Sequence, residues 1–140
     1  MNATAPKTGN GKPQPQLTLE QRRAADAWNC VKDGVGKEYV NVAKAMPQLI
    51  MNSGLMQTLA FMEQKKGEHQ DVAKQLREWL NLRFNGVRRD PGFEPMMEAL
   101  LRAKPDDFRL YTAEVLAWLK WLRQFAAAAP EIRKQNGAPK

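Results

Sequence analysis

A chain of 140 residues is the length of one domain, and 43% hydrophobic with 26% charged residues is the composition of a folded globular protein, not a disordered one. The formal net charge of +7 points to a polyanionic partner, nucleic acid ahead of a membrane surface. No run approaches the ~20 apolar residues that cross a bilayer and no charged-then-apolar leader opens the chain, so no membrane role is expected and the protein is placed in the cytoplasm.

Residues 1–16 are rich in Pro, Gly, Lys, Gln and Asn and hold too little apolar surface to offset the entropy of ordering, so they read as a disordered leader. Thr18 followed by Gln21 is a capping-box signature and opens a helix. Its apolar residues, Ala24, Trp28, Val31, Val35, Tyr39, Val42 and Met46, recur at spacings of three and four, the period of one helical face. Gly34 and Gly36 interrupt that pattern at about 1 kcal/mol each, which predicts a break and two consecutive helices.

Pro47 suits the first turn of a further short helix, and Asn52-Ser53-Gly54 supplies residues that accept left-handed backbone at its end. The segment Leu55 to Lys66 is apolar nearly all round until its charged end, which predicts the central, most enclosed helix, terminated by Gly67. Val72, Leu76, Leu80 and Phe84, with Trp79, mark an amphipathic surface helix whose other angles hold Lys74, Arg77, Glu78 and Arg83. Asn85 to Gly92 reads as a loop carrying Arg88 and Arg89, and a short helix follows around Met96 to Leu101.

Pro105, Asp106 and Asp107 mark the start of a last helix running to about Ala129, with the two acids capping backbone amides and matching the helix dipole. Phe108, Tyr111, Val115, Trp118, Leu122 and Phe125 form its core stripe, with Leu119 at the margin. Leu110, Ala117 and Trp121 widen the apolar arc beyond what one buried face needs, so either another helix of the chain or a protein partner covers Trp121. Arg109, Lys120 and Arg123 form a basic stripe opposite the core, suited to phosphates or simply to solvent. From Pro130 to Lys140 the composition again reads as a flexible tail. The expected fold is therefore all-α, a compact bundle of five to seven helices over residues 17–129 with a long C-terminal helix.

Reactive chemistry is sparse. The single cysteine, Cys30, lies in a helical pattern and reads as a small hydrophobe, and the single histidine, His69, follows a helix-terminating glycine, where capping explains it. No Cys/His spacing seeds a metal site, and Gly34-Val35-Gly36 lacks the preceding strand that a phosphate loop needs. Neither a catalytic residue, a metal, a cofactor nor a small-molecule substrate is expected.

Glu38-Tyr39, Ala43-Lys44, Met46-Pro47, Leu49-Ile50, Ser53-Gly54-Leu55, Gln57, Leu59-Ala60-Phe61 and Lys65, together with Tyr111-Thr112, Glu114 and Trp121-Leu122-Arg123, make a pattern. It resembles the small, all-helical subunit of the type III-B CRISPR effector (Cmr) complex over about Leu19 to Ala126. Two positions depart from that pattern. Gln64 stands where serine is common, and Gln124 replaces the second base of a Lys-Arg pair, leaving Arg123 alone there.

The resemblance implies a non-enzymatic subunit of an antiviral, CRISPR-RNA-guided ribonucleoprotein, present in several copies stacked as an inner filament. Its implied partners are the backbone subunit, the Cas10-type large subunit, further copies of itself, the CRISPR RNA and the target RNA. Lys44, Lys65, Lys66, Arg109, Lys120 and Arg123 are the candidate RNA contacts and Trp121 the candidate protein contact. The alternative is a free-standing helical nucleic-acid-binding regulator.

Overall fold

The computed structural model describes residues 16–132, so nearly all of the expected leader and the tail from 133 onward lie outside the described residues. Within them run six helices: α1 (Leu19–Val31), α2 (Lys37–Ser53), α3 (Leu55–Lys65), α4 (Glu68–Asn85), α5 (Phe93–Arg102) and α6 (Pro105–Ala128). The all-α expectation holds.

α1 opens on the capping box: the Thr18 hydroxyl accepts from the Gln21 amide at 3.0 Å, and the Gln21 side chain accepts from the Thr18 amide at 2.8 Å. Two of the helix's otherwise unpaired amide donors are thereby satisfied. The expected face of α1 is turned, however. Asp26, Ala27 and Val31 are its buried residues, while Trp28 stays 40% exposed at the rim.

The predicted break falls between Val31 and Lys37, where Gly34 takes φ +105°, a conformation that side chains resist. Val35 donates to the Pro130 carbonyl at 3.1 Å and its own carbonyl accepts from Ile132 at 2.9 Å, so the chain after α6 is clasped to the α1–α2 junction by a single parallel bridge. The first three residues of the expected tail, Pro130 to Ile132, are thus described and hydrogen-bonded.

Pro47 does not begin a helix. It lies inside α2, which runs unbroken through it because Ala43, Met46 and Ile50 on either side are buried in the core. Their packing outweighs the roughly 3 kcal/mol that an interior proline costs. Gly54, at φ +86°, then turns the chain directly into α3 with no loop between. α3 is not the most enclosed helix: Leu55, Thr58, Leu59 and Met62 are buried, but Phe61 is exposed.

The central element is α6. It packs on both α1 and α2 and also touches α4, burying Val115, Trp118, Leu119, Leu122 and Ala126. α3 bridges α2, α4 and α5 on the other side. Contacts between α1 and α6 advance together, from Arg23 with Glu114 through Asp26 with Trp118 to Trp28 with Phe125, and end in the Val35–Glu131 bridge. The two helices therefore run side by side in the same direction.

An added Cβ at Gly34 would stand 2.8 Å from Ile132 Cγ1 and 2.9 Å from the Pro130 carbonyl oxygen, whereas Gly36 has an ordinary φ of −84° and a nearest atom 3.2 Å away. Gly34→Val should therefore lose on the order of 3 kcal/mol in urea unfolding through combined backbone strain and overpacking. Gly36→Ala should cost less than about 1 kcal/mol; equal losses would show that the clasp imposes no special demand on Gly34.

Candidate nucleic-acid interface

Three buried polar systems fix the surface from beneath. Glu114 of α6, only 2% exposed, accepts two hydrogen bonds from the Arg23 guanidinium of α1 at 2.8 Å each and one from the Trp79 indole of α4 at 3.1 Å. Arg83 of α4 adds an ion pair at 3.3 Å. Burial opposes ionisation of Glu114, but Arg23, Trp79 and Arg83 together hold its carboxyl below the usual range. Arg23 is correspondingly held more firmly protonated, chiefly by its hydrogen bond to Glu114.

Asp26 accepts from the Trp118 indole at 2.9 Å and pairs with Arg88 of the α4–α5 loop at 3.1 Å. Burial is the larger influence there and pushes the Asp26 carboxyl up. Arg77, 6% exposed rather than on the polar face that its position in α4 suggests, donates to both oxygens of Asp90 at 2.7 and 2.9 Å, and Asp90 also accepts from the Gly92 amide. This pairing folds the α4–α5 loop back on α4.

The six candidate RNA contacts come to the surface on different elements. Lys44 lies on the exposed side of α2, in register with exposed Lys37, Asn41 and Gln48. Lys65 and Lys66 occupy the α3–α4 corner, where Lys65 sits 5.6 Å over the Phe61 ring and Lys66 itself takes a positive φ of 68°. Arg109, Lys120 and Arg123 are exposed along α6. Helix register places Lys120 and Arg123 one turn apart and Arg109 about 16 Å further toward the helix start. Arg109 is engaged by Asp106, and the Lys120 charge acts on Glu20 of α1. The first-turn acids of α6 form no side-chain cap; Asp106 is used as the partner of Arg109 instead.

Trp121 is half-buried against α1, donating its indole N–H to Glu20 at 2.7 Å and tilting on Phe125 at 5.5 Å. Phe125 in turn meets Trp28 edge-on at 5.4 Å. The aromatic side chain most open on this seam is Trp28, which the spacing of apolar residues assigns to the core.

Charge is unevenly distributed along the chain. All fifteen acidic residues and seventeen of the 22 basic ones lie within 16–132, giving that body a net +2, while residues 1–15 and 133–140 hold five basic residues and no acid. Six arginines of the body are held in ion pairs. The formal charge therefore overstates the basicity of the folded surface.

Two clefts indent the bundle. One, of about 250 Å³ between α4, α5 and α6, is walled by Leu80, Phe84, Met96, Leu100 and Tyr111. The other, of about 310 Å³, is lined by Cys30, Tyr39, Asp71, Lys74, Gln75 and Glu78. Burial, aided by the charges of Asp26 and Glu78, pushes the Cys30 thiol up to about 12, so it is protonated at neutral pH. The Tyr39 phenol, also raised by burial, donates to Gln75 at 2.5 Å. Neither group is poised as a nucleophile. His69, in the first turn of α4, packs edge-on against Phe61 at 5.9 Å instead of capping the helix. Among the described residues no three His, Cys, Asp or Glu gather to hold a metal ion, and no helix is long and apolar enough to cross a membrane.

The family model of CRISPR-associated protein (Cas_Cmr5) matches residues 19–129, from the start of α1 to the end of α6. A crystal structure of a CRISPR-associated Cmr5 family protein from Thermus thermophilus matches with a TM-score of 0.66 at 29% identity, covering 82% of this chain and 100% of that one. No curated protein matches the sequence.

Glu114→Gln would leave Arg23 and Arg83 facing a neutral group, a loss of about 3 kcal/mol at neutral pH, the low end for breaking a buried pair because both arginines keep some water. A carboxyl whose folded pKa is depressed contributes stability above its unfolded value of 4.5 and loses it as pH falls through the lower folded value. In urea unfolding at about pH 7 and about pH 3, the gap between wild type and Glu114→Gln should therefore narrow at the lower pH; an equal gap would mean that ionisation of Glu114 adds nothing.

Proposed function

The chain belongs to the CRISPR-associated Cas_Cmr5 family, and from that membership we propose that it is a non-catalytic subunit of a CRISPR-RNA-guided Cmr ribonucleoprotein. The observation that carries this reading is the family match running through all six helices, supported by the Thermus structure that superposes over its own full length. In this role several copies stack as an inner filament against the backbone subunits and the Cas10-type large subunit in the cytoplasm. They stabilise target RNA along the CRISPR RNA guide. The described residues suit a scaffold: the buried charges are paired within the body, and the cysteine and tyrosine in the polar cleft are held protonated.

RNA contact through Lys44, Lys65, Lys66, Lys120 and Arg123 would act on phosphates and carry no base preference. Arg109 contributes less, because binding RNA would compete with its ion pair to Asp106. A protein contact at the aromatic seam is a second reading, supported at Trp28, which is 40% exposed beside half-buried Phe125 and Trp121.

The test uses the assembled complex and matched RNA. Lys65→Glu, Lys66→Glu and Arg123→Glu together should weaken binding and flatten its salt dependence, by about 0.7 in the log–log slope for each phosphate of a single strand that is no longer neutralised. Unchanged affinity and slope would remove these residues from the interface.

A further inference from the structure

Phe61 is 40% exposed on α3, a helix whose Leu55, Leu59 and Met62 are buried. The other exposed residues from Gln57 to Lys66 are Gln57, Ala60, Gln64, Lys65 and Lys66, none of them acidic. Glu63, between them in sequence, is half-buried and sits 3.9 Å from the Arg77 guanidinium. Lys65 holds its ammonium 5.6 Å from the centre of the Phe61 ring, and the His69 ring stands nearly perpendicular to that ring at 5.9 Å. We propose that this corner of α3 and α4 is a stacking platform, on which Phe61 takes an unpaired RNA base while Lys65 and Lys66 meet the phosphates beside it. This deepens the proposed function and rests on its premise that the chain contacts RNA.

An aromatic face attracts any base, because every base has a π surface, and neighbouring cations attract the phosphates that accompany it. Gln57, Gln64 and Lys65 all lie within about 60° of Phe61 around the helix, so amides and a cation border the ring. A single ring in that setting suits a flat ligand with polar edges. A protein partner is better served by a continuous apolar patch, which the exposed residues of this face do not form. The Lys65 ammonium over the ring does not bar a base. A cation over an exposed ring is held more loosely than a stacked base, so the base displaces it and frees its charge for a phosphate.

Lys66 supplies an independent observation. Its φ of 68° and ψ of 177° fall in a region that is essentially glycine's, and it is the one non-glycine residue at positive φ among the described residues. Backbone strain of this kind clusters at ligand clamps. The Lys66 side chain is exposed, so the core gains little from it. A glycine would relieve the strain; what the lysine adds is a second cation beside Lys65.

The test titrates the full-length chain over a range of low salt with two single-stranded probes of equal length, oligouridine and an abasic oligoribonucleotide carrying the same phosphates. Phe61→Leu keeps an apolar side chain on the helix but removes the π face. It should weaken oligouridine binding at least about fivefold, leave the abasic probe unaffected and leave the salt slope unchanged, and Phe61→Tyr should restore the affinity. Lys66→Gly should move the urea unfolding midpoint upward and flatten the log–log salt slope by about 0.7 on both probes.

A Phe61→Leu chain that binds oligouridine as wild type does overturns the inference. An equal loss on the abasic probe does so too, because the ring would then act through the fold. If the variant binds oligouridine normally but no longer enters the assembled complex, Phe61 is a protein contact instead. Equal affinity of the wild-type chain for the two probes discards the stacking and keeps the phosphate contacts. A wild-type chain that binds neither probe discards both, and leaves membership of the complex standing.

Discussion

Arg23, Trp79 and Arg83 converge on the carboxylate of Glu114, and through it α1, α4 and α6 meet at a single buried charge. Taking one carboxylate out of water is costly, and here the cost is offset only because each oxygen has a charged partner and one also takes an indole N–H. That requirement is geometric. Arg23 lies 91 residues from Glu114 in sequence, so its guanidinium reaches the carboxylate only when α1 lies along α6 in one register. Apolar packing alone tolerates sliding between helices; a bidentate pair does not. The neighbouring Asp26–Trp118 hydrogen bond repeats the constraint one turn further along the same two helices.

Once this register is set, the rest of the α1 and α6 geometry follows. Asp26 and Glu114 both point inward, which turns Trp28 and Trp121 toward the seam's outer edge, where Phe125 meets Trp28 edge-on and Trp121 at a tilt. The end of α6 is carried to the end of α1, and there Gly34 leaves room for Pro130 and Ile132 to pair with Val35. α4 is drawn in by Trp79 and Arg83 and holds its own following loop through Arg77 and Asp90.

Most helix ends were legible in the sequence because they depend on local chemistry: Thr18 with Gln21, Gly34 with Gly36, Gly54, Gly67 and the Pro105 start all act within a few residues. The buried face of α1 was not. Periodicity assigns Trp28 to the core, whereas the structure leaves it at the rim and buries Asp26, because Trp118, 92 residues away, supplies a hydrogen bond that makes a buried aspartate tolerable. Arg77 and Glu114 escaped for the same reason. Pro47 was misleading in the other direction, since its effect on the backbone is local but the packing that overrides it is not. At the candidate interface Arg109, Lys120 and Arg123 were found as exposed residues by their helical angles, whereas which arginines had already committed their charge to internal partners depended on contacts that only the fold brings about. Trp121 meets α1 through Glu20, but no local signal in the chain points to that contact.

Paired charges inside the bundle and charges on its surface respond differently to salt. Mobile ions screen exposed charges over about 10 Å at 0.1 M, but they reach a carboxylate such as Glu114, 2% exposed, poorly. Raising salt therefore weakens exposed surface pairs such as Arg102 with Glu98 while leaving the register of α1 against α6 nearly untouched.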